Sequence, residues 1–164
     1  MSTRQVNVQR FSMVSSRPFN EVIAKVDAAI GHPDMRSFRQ DITAAQTEAE
    51  LEKVVNEAVG PSGLMEFTGF DLGEVLGKEL GGKAPQSVRL VVGNPVIMKQ
   101  MVKLVPDAGS YAPVTILIDE RPDGVHLSYD RMASFLSIYG NSDALKVAQD
   151  LDSKVERLLE ATAK

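Results

Sequence analysis

Apolar residues recur along this chain at two spacings, and each spacing predicts one kind of element. Over residues 18–30 the apolar side chains return every three or four positions, which is the spacing of a helix with one buried face. Gly31 and Pro33 follow and end the helix, because glycine accepts a left-handed backbone and proline cannot continue a helix. The apolar positions are Phe19, Val22, Ile23, Val26 and Ile30.

The same spacing, preceded by capping residues, predicts four further long helices. Thr47 and Glu50 form a capping box, in which each side chain accepts a hydrogen bond from a backbone N–H group. Asp71 and Ser142 are also suited to begin helices, and Leu76 is predicted to lie on the buried side of the helix after Asp71. The segment 32–46 fits neither spacing well. The predicted helices cover residues 47–59, 71–80, 95–104 and 142–162, with a short one near 132–139.

Strands are predicted where apolar and polar residues alternate, or where β-branched residues cluster. Residues 121–124 hold the proline and glycine of a tight turn, so the strands on either side form a hairpin. Ile116, Ile118 and Leu127 suggest that this hairpin is apolar on both faces. The expected class is α+β: a single domain over residues 1–164, with an antiparallel or mixed sheet of about five strands and helices mainly on one face. The predicted strands cover residues 5–14, 64–70, 87–92, 113–119 and 124–129.

A strand-to-helix turn at Gly93 is expected near the centre of the fold. Asn94 is a strong N-cap, because its side-chain oxygen can accept a backbone N–H of the first helical turn. Pro95 fits the first helical position, where its missing N–H leaves no bond unmade. The N–H groups of such a turn suit a carboxylate or phosphate, although an ordinary capped helix is the simpler interpretation.

Composition and charge exclude several kinds of partner. The chain has 164 residues, of which 43% are hydrophobic and 24% charged, as in a soluble globular protein. The net charge is −4 and the basic residues are scattered, which argues against nucleic acid as a partner. There is no cysteine, so disulfides and thiolate chemistry are excluded. No run approaches the ~20 apolar residues of a membrane span, and the first residues lack the apolar core of a signal peptide, so a cytoplasmic protein without a membrane partner is expected.

Candidate catalytic chemistry is sparse. No phosphate-binding glycine loop, nucleophile elbow or paired-histidine motif occurs, so no metal site is expected and no cofactor is indicated. His126 faces away from its apolar neighbours in the hairpin, and with Tyr129 and Asp130 it would suit general acid–base chemistry. A solvent-facing histidine on a hairpin is the plainer alternative.

A small-ligand site is expected where the Asn94 helix start approaches the hairpin. Tyr111 and Tyr129 would pack the body of the ligand there, and Asn94 would fix a polar group. His126 or Asp130 would supply charge. Apolar walls with a few convergent polar groups are what small-molecule pockets generally offer.

Three runs in the second half of the chain resemble one family. They are residues 91–95, residues 111–116 and residues 123–130, and they are similar to the family called domain of unknown function 302, mostly small bacterial and archaeal proteins. The resemblance is best over residues 64–139, and the segment 32–62, with its extra capped helix, looks longer than the family pattern. The resemblance implies a compact α+β domain that forms a homodimer, with no established activity and no agreed catalytic residues.

Three functions follow as hypotheses. The first is a non-enzymatic module that binds or senses a small, partly apolar ligand as a symmetric homodimer. The second is a cofactor-free enzyme in which His126, Asp130 or a tyrosine transfers protons. The third is a structural or interaction protein that docks through its last helix, and an exposed apolar stripe on that helix would favour it.

Overall fold

One antiparallel sheet forms the centre of the fold, in a computed structural model that describes residues 3–82 and 84–164. The strands in these ranges are β1 (Arg10–Ser15), β2 (Met65–Asp71), β3 (Ser87–Gly93), β4 (Val114–Arg121) and β5 (Gly124–Asp130). They lie in the order β1, β5, β4, β3, β2, and every neighbouring pair is antiparallel. The predicted α+β class with an antiparallel sheet is confirmed.

Helices fill most of the connections between the strands. They are α1 (Phe19–Ala29), α2 (Met35–Ala44), α3 (Glu48–Ala58), α4 (Leu72–Glu79), α5 (Pro95–Val102), α6 (Met132–Leu136) and α7 (Ser142–Ala163). Helix α2 occupies most of the segment that the sequence left open. Asp34 begins it by accepting the N–H of Ser37 at 2.8 Å, and among its residues only Phe38 is buried, which explains its weak apolar pattern.

The first strand is shorter than the predicted span of residues 5–14. Its pairing begins at Arg10, which lies opposite Asp130. Asp130 is the last residue of β5, so the residues before Arg10 lie beyond the end of their partner strand. The carbonyl of Gln9 instead accepts the N–H of Arg131 at 2.9 Å.

The core lies on one face of the sheet. Ile116 pairs with Tyr129, Ile118 pairs with Leu127, and all four side chains are buried. Side chains alternate along a strand, so these register pairs share a face, and they do not make the hairpin apolar on both sides as the sequence suggested. Helices α1 and α7 pack on this face through Phe19, Val22, Val26, Ala148, Leu151, Val155, Leu158 and Leu159.

Two predicted helix starts are confirmed in detail. Thr47 Oγ1 accepts the N–H of Glu50, and the Glu50 carboxylate accepts the N–H of Thr47, each at 3.2 Å. Asn94 Oδ1 accepts the N–H groups of Val96 and Ile97 at 2.9 and 3.3 Å. The capping box and the asparagine cap therefore set the starts of α3 and α5.

Gly31 follows α1 for a different reason than predicted. Its backbone is not left-handed. A Cβ atom built on Gly31 would lie 1.9 Å from the carbonyl oxygen of Ala58, and one on Gly60 would lie 2.3 Å from the carbonyl carbon of Ile30. The ends of α1 and α3 are in such close contact that only glycine fits at both positions.

Helix α4 departs from the prediction that its apolar residues are buried. Val75 is 70% exposed, Leu76 44% and Leu80 53%. The helix connects the edge strand β2 to its neighbour β3, and a Cβ atom on Gly73 would be 3.0 Å from the backbone N of Ser87. The spacing of apolar residues thus identified the helix correctly but not its surroundings, because α4 lies outside the core that α1 and α7 form.

Candidate functional site

A groove of about 510 Å³ runs along the face of the sheet opposite α1 and α7. Its floor is made of side chains that alternate with the buried ones along the strands. Residues 109–113, before β4, and Phe135 of α6 form a wall. We call this site the open-face groove; its floor residues are Arg10, Arg89, Val91, Thr115, Leu117, Ser128 and Asp130.

The floor combines apolar contact area with polar groups. Val91 and Leu117 provide aliphatic surface, while Thr115 and Ser128 provide hydroxyls. Clefts of roughly 300–1,000 Å³ with mostly apolar walls and a few polar groups are the usual binding sites for small molecules. The open-face groove has the size and the mixed lining of such a site.

One end of the groove is closed by an ion pair. The Arg10 guanidinium donates to both carboxylate oxygens of Asp130, with Nε at 2.6 Å and Nη2 at 2.8 Å. The hydrogen bond to Asp130 raises the pKa of Arg10. Arg10 and Asp130 are directly opposite in the register of β1 and β5, so the strand pairing positions them for this two-point contact.

The other cation of the groove, Arg89 of β3, is held less tightly. Its Nη2 lies 3.5 Å from the hydroxyl of Thr115, and its guanidinium lies 6.0 Å from the centroid of the Phe70 ring. Within residues 3–82 and 84–164, no Asp or Glu side chain forms an ion pair with Arg89. Its donors therefore remain available on the exposed side of the sheet.

Aromatic rings stand at the wall of the groove. Tyr111 stacks on Phe135 with ring centroids 4.8 Å apart and an interplanar angle of 16°. The Tyr111 and Tyr139 hydroxyls are 3.2 Å apart, and this hydrogen bond raises the pKa of Tyr139 to about 12. The Arg4 guanidinium lies over the Tyr139 ring, with its Cζ atom 4.8 Å from the ring centroid. Tyr139 thus contacts both Arg4 and Tyr111.

Tyr129 lies along the groove in β5, but its side chain points into the core. The ring is 1% exposed, and the hydroxyl donates to Asp152 Oδ1 at 2.6 Å. The Asp152 carboxylate also accepts the N–H groups of Met132 and Ala133 at 2.7 and 3.1 Å. Burial is the main cause that raises the pKa of Tyr129 and of Asp152, and it keeps both groups away from any ligand.

Asn94 lies at a different cavity. Its Oδ1 caps α5 and its Nδ2 donates to the carbonyl of Gly63 at 3.0 Å, so its polar atoms are already bonded. A small cavity of about 80 Å³ adjoins it, lined by Met98 and Met101 among other apolar residues. Residues 112–114 line both this cavity and the open-face groove, and so lie between the two.

His126 lies at the far end of the hairpin. Its Nε2 is 2.8 Å from the carboxylate of Asp123, in the turn between β4 and β5, and this hydrogen bond lowers the pKa of Asp123. Of the five predicted ligand residues, Tyr111, Tyr129 and Asp130 thus border one groove, whereas Asn94 and His126 do not. Sequence reasoning missed Arg10, Arg89 and Asp152, because only the strand register and the α7 packing give these residues their partners.

One cluster of side chains has donor atoms for a cation. Oxygen or nitrogen atoms of Asp27, His32 and Glu66 lie within 4.8 Å of one another. His32 Nε2 is 3.1 Å from the backbone carbonyl of Asp27, and Nδ1 is 3.4 Å from the Glu66 carboxylate. Hydrogen bonds of the imidazole with these oxygens account for the arrangement. Asp27 and His32 are exposed and Glu66 is partly exposed, so the geometry does not by itself define a metal centre.

The sheet, its helical layer and the open groove define a small α+β domain of one sheet and one main layer of helices. The chain belongs to the family described as Domain of unknown function DUF302, which matches residues 40–162. The family resemblance expected from the sequence is confirmed. The match extends beyond the expected residues 64–139 at both ends and includes α3.

A solved structure supports the fold assignment. The crystal structure of an uncharacterized conserved protein DUF302 from Bacillus stearothermophilus is similar to this chain, with a TM-score of 0.64 over 94% of this chain and 98% of that chain. The sequence identity is 14%, so the likeness concerns the fold alone. No curated protein matches this chain. Within the described residues, no helix has the length and apolar character needed to cross a membrane.

Proposed function

We propose that this protein is a non-enzymatic module that binds a small, partly apolar ligand in the open-face groove. The observation that carries the proposal is the groove itself: about 510 Å³ of space over an uncovered sheet face, with aliphatic, aromatic and polar groups around it. The single layer of helices covers the opposite face of the sheet, so a ligand reaches the floor without displacing an element.

Binding accounts for the lining better than catalysis does. General acid–base chemistry needs a titratable group within reach of the ligand. The Tyr129 hydroxyl and Asp152 are buried under the sheet and bonded to each other, and His126 is bonded to Asp123 at the hairpin turn. Asp130 borders the groove, but both its oxygens accept hydrogen bonds from Arg10.

Calorimetric titration with two planar probes of the same shape, 2-naphthoate and 2-naphthamide, tests the proposal. We expect at least one of them to bind at one molecule per chain with a dissociation constant below about 1 mM. Thr115→Trp fills the middle of the floor and abolishes this binding. Ser153→Trp, on the exposed side of α7, adds the same bulk far from the groove and leaves binding unchanged. If neither probe binds, or if both tryptophan variants behave alike, the proposed function is wrong.

A symmetric homodimer is part of the proposal. Val75, Leu76 and Leu80 give α4 an exposed apolar surface, which is unusual for a helix of a monomeric protein. Sedimentation at micromolar concentration is expected to give twice the chain mass, and Leu76→Glu is expected to shift the distribution towards the monomer. A monomer throughout this range would reject the dimer.

A docking role for α7 has less support. The apolar residues of that helix, including Leu151, Val155 and Leu158, are buried on the sheet rather than exposed. A cytoplasmic location also remains a prediction from the sequence, and fractionation of cells that express the full chain tests it.

A further inference from the structure

We infer that the ligand of the open-face groove is an organic carboxylate with a flat apolar body, and that Arg89 binds its carboxylate. This inference rests on the proposed function, because it names the ligand class for the same groove. Three features of the groove point to this ligand: the bonding of its two arginines, the order of residues across its floor, and the distance that the floor spans.

The two arginines of the groove differ in their hydrogen-bond partners within the protein. Arg10 donates through Nε and Nη2 to Asp130, so two of its donors and its charge are matched inside the protein. Arg89 has only a 3.5 Å contact with the Thr115 hydroxyl and, within residues 3–82 and 84–164, no carboxylate partner. Arg89 is therefore the group in the groove that gains most from an anion.

The geometry of the Arg89 guanidinium and its contacts suit the binding of a planar anion. A guanidinium presents its donors as a rigid fork that matches the two oxygens of a carboxylate. The Phe70 ring lies on one side of the Arg89 guanidinium at 6.0 Å, and Thr115 lies on another, so the head group is held near the floor. The Thr115 hydroxyl is placed to donate to the same anion.

The order of residues across the floor sets the direction of the ligand. Arg89 pairs with Leu117, and Leu117 pairs with Ser128, so one row of the open face runs from cation to aliphatic side chain to hydroxyl. Two strand spacings, about 10 Å in all, separate β3 from β5 along this row. A bicyclic or similarly sized flat body spans that distance, from Arg89 to Ser128.

The Asp130–Arg10 pair discriminates at the far end of the groove. Its two charges neutralise each other, so this end of the groove offers no unmatched cation to a second negative charge. A monoanion with one charged end and one apolar end therefore fits the groove better than a dianion. This charge pattern distinguishes the inferred ligand from a purely apolar one.

The two naphthalene probes separate this inference from the proposed function, because they differ only in charge. We expect the wild-type chain to bind 2-naphthoate about tenfold or more tightly than 2-naphthamide, the effect expected of a charge-assisted hydrogen-bonded pair. Arg89→Met keeps an unbranched side chain beside Phe70 and removes the charge, and it is expected to bring the two dissociation constants together. Arg89→Lys keeps the charge without the fork and is expected to retain part of the preference.

Arg36→Met is the matched control, because Arg36 is an exposed arginine of α2 away from the groove. It removes the same net charge and is expected to leave the preference for 2-naphthoate unchanged. Circular dichroism of each variant checks that the fold is kept. Equal binding of the two probes to the wild type, or an equal loss in Arg36→Met and Arg89→Met, would overturn the inference while leaving the groove as a binding site. Binding of neither probe would overturn both.

Discussion

At the scale of single residues, Asp152 connects three parts of the molecule. Its carboxylate accepts the Tyr129 hydroxyl of β5 and the first two N–H groups of α6, although the residue itself belongs to α7. These bonds replace the water that the buried carboxylate has lost. The sequence did not reveal this role, because Asp152 is one more acidic residue on a long helix and only folding brings its donors near.

Replacing Asp152 by asparagine is expected to destabilise the protein by about 1–3 kcal/mol, because one of the oxygens that accept N–H groups becomes an amide donor. Urea denaturation measures the change. Asp150→Asn, on the exposed side of the same helix, is the control and is expected to stay within about 0.5 kcal/mol of wild type. Equal effects of the two substitutions would show that the Asp152 network does not stabilise the fold.

The Asp123–His126 pair predicts a pH dependence at the hairpin turn. The hydrogen bond from His126 lowers the pKa of Asp123 below its ordinary value of 3.8. Since the folded pKa lies below the unfolded one, the contribution of Asp123 to stability is present above pH 3.8 and is lost as the pH falls through the folded pKa. NMR titration of the Asp123 carboxyl carbon should give a depressed pKa in wild type and a value closer to 3.8 in His126→Ala. An unchanged pKa in the variant would mean that His126 does not cause the shift.

At the scale of elements, the joint between α1 and α3 depends on two glycines. Gly31→Ala would place a Cβ atom 1.9 Å from the Ala58 carbonyl oxygen, so the backbone must move. We expect a loss of stability of about 1–3 kcal/mol, as for other overpacked sites. Gly77→Ala is the control, because the nearest atom to its Cβ would be 3.9 Å away and alanine favours the helix by up to about 1 kcal/mol. Thermal denaturation in which Gly31→Ala is as stable as wild type would contradict the close contact.

Alanine substitutions in β5 and α4 test which of the two elements belongs to the hydrophobic core. Leu127 is fully buried, and Leu127→Ala is expected to cost about 2–5 kcal/mol. Leu76 is 44% exposed, so Leu76→Ala is expected to cost much less in the monomer. The comparison is made by denaturation at a concentration where sedimentation shows a single chain. A large loss for Leu76→Ala under those conditions would place α4 in the core after all.

The sequence predicted the positions of the helices and strands more reliably than the elements that pack beside them. Capping residues and spacing located α3 and α5 because these signals are local, and the chemistry of a cap involves neighbours within one turn. Burial of Leu76 could not be judged in the same way, because it depends on which element comes to lie beside α4. The end of β1 at Arg10 was missed for a similar reason: it is decided by where its partner β5 stops.

At the scale of the whole molecule, the open-face groove depends on strand order. Arg10 and Arg89 are far apart in the sequence, and they share one face only because β1 and β3 lie on either side of the β4–β5 hairpin. The sequence pointed to Tyr111 and Asp130 through local signals, and the groove includes both. It also grouped Asn94 and His126 with them, but Asn94 caps α5 beside the small cavity, and His126 lies at the turn end of the hairpin, where it contacts Asp123.

A ¹H–¹⁵N NMR titration of the full chain with 2-naphthoate locates the bound probe on the protein directly. If the ligand lies in the open-face groove, the largest shifts will occur at the amides of Arg89, Val91, Thr115, Leu117 and Ser128. The amides of His126 and of the exposed side of α7 will change little. Largest shifts at the small cavity beside Asn94 or on α4, with the groove unaffected, would show that this uncovered sheet face is not the binding site.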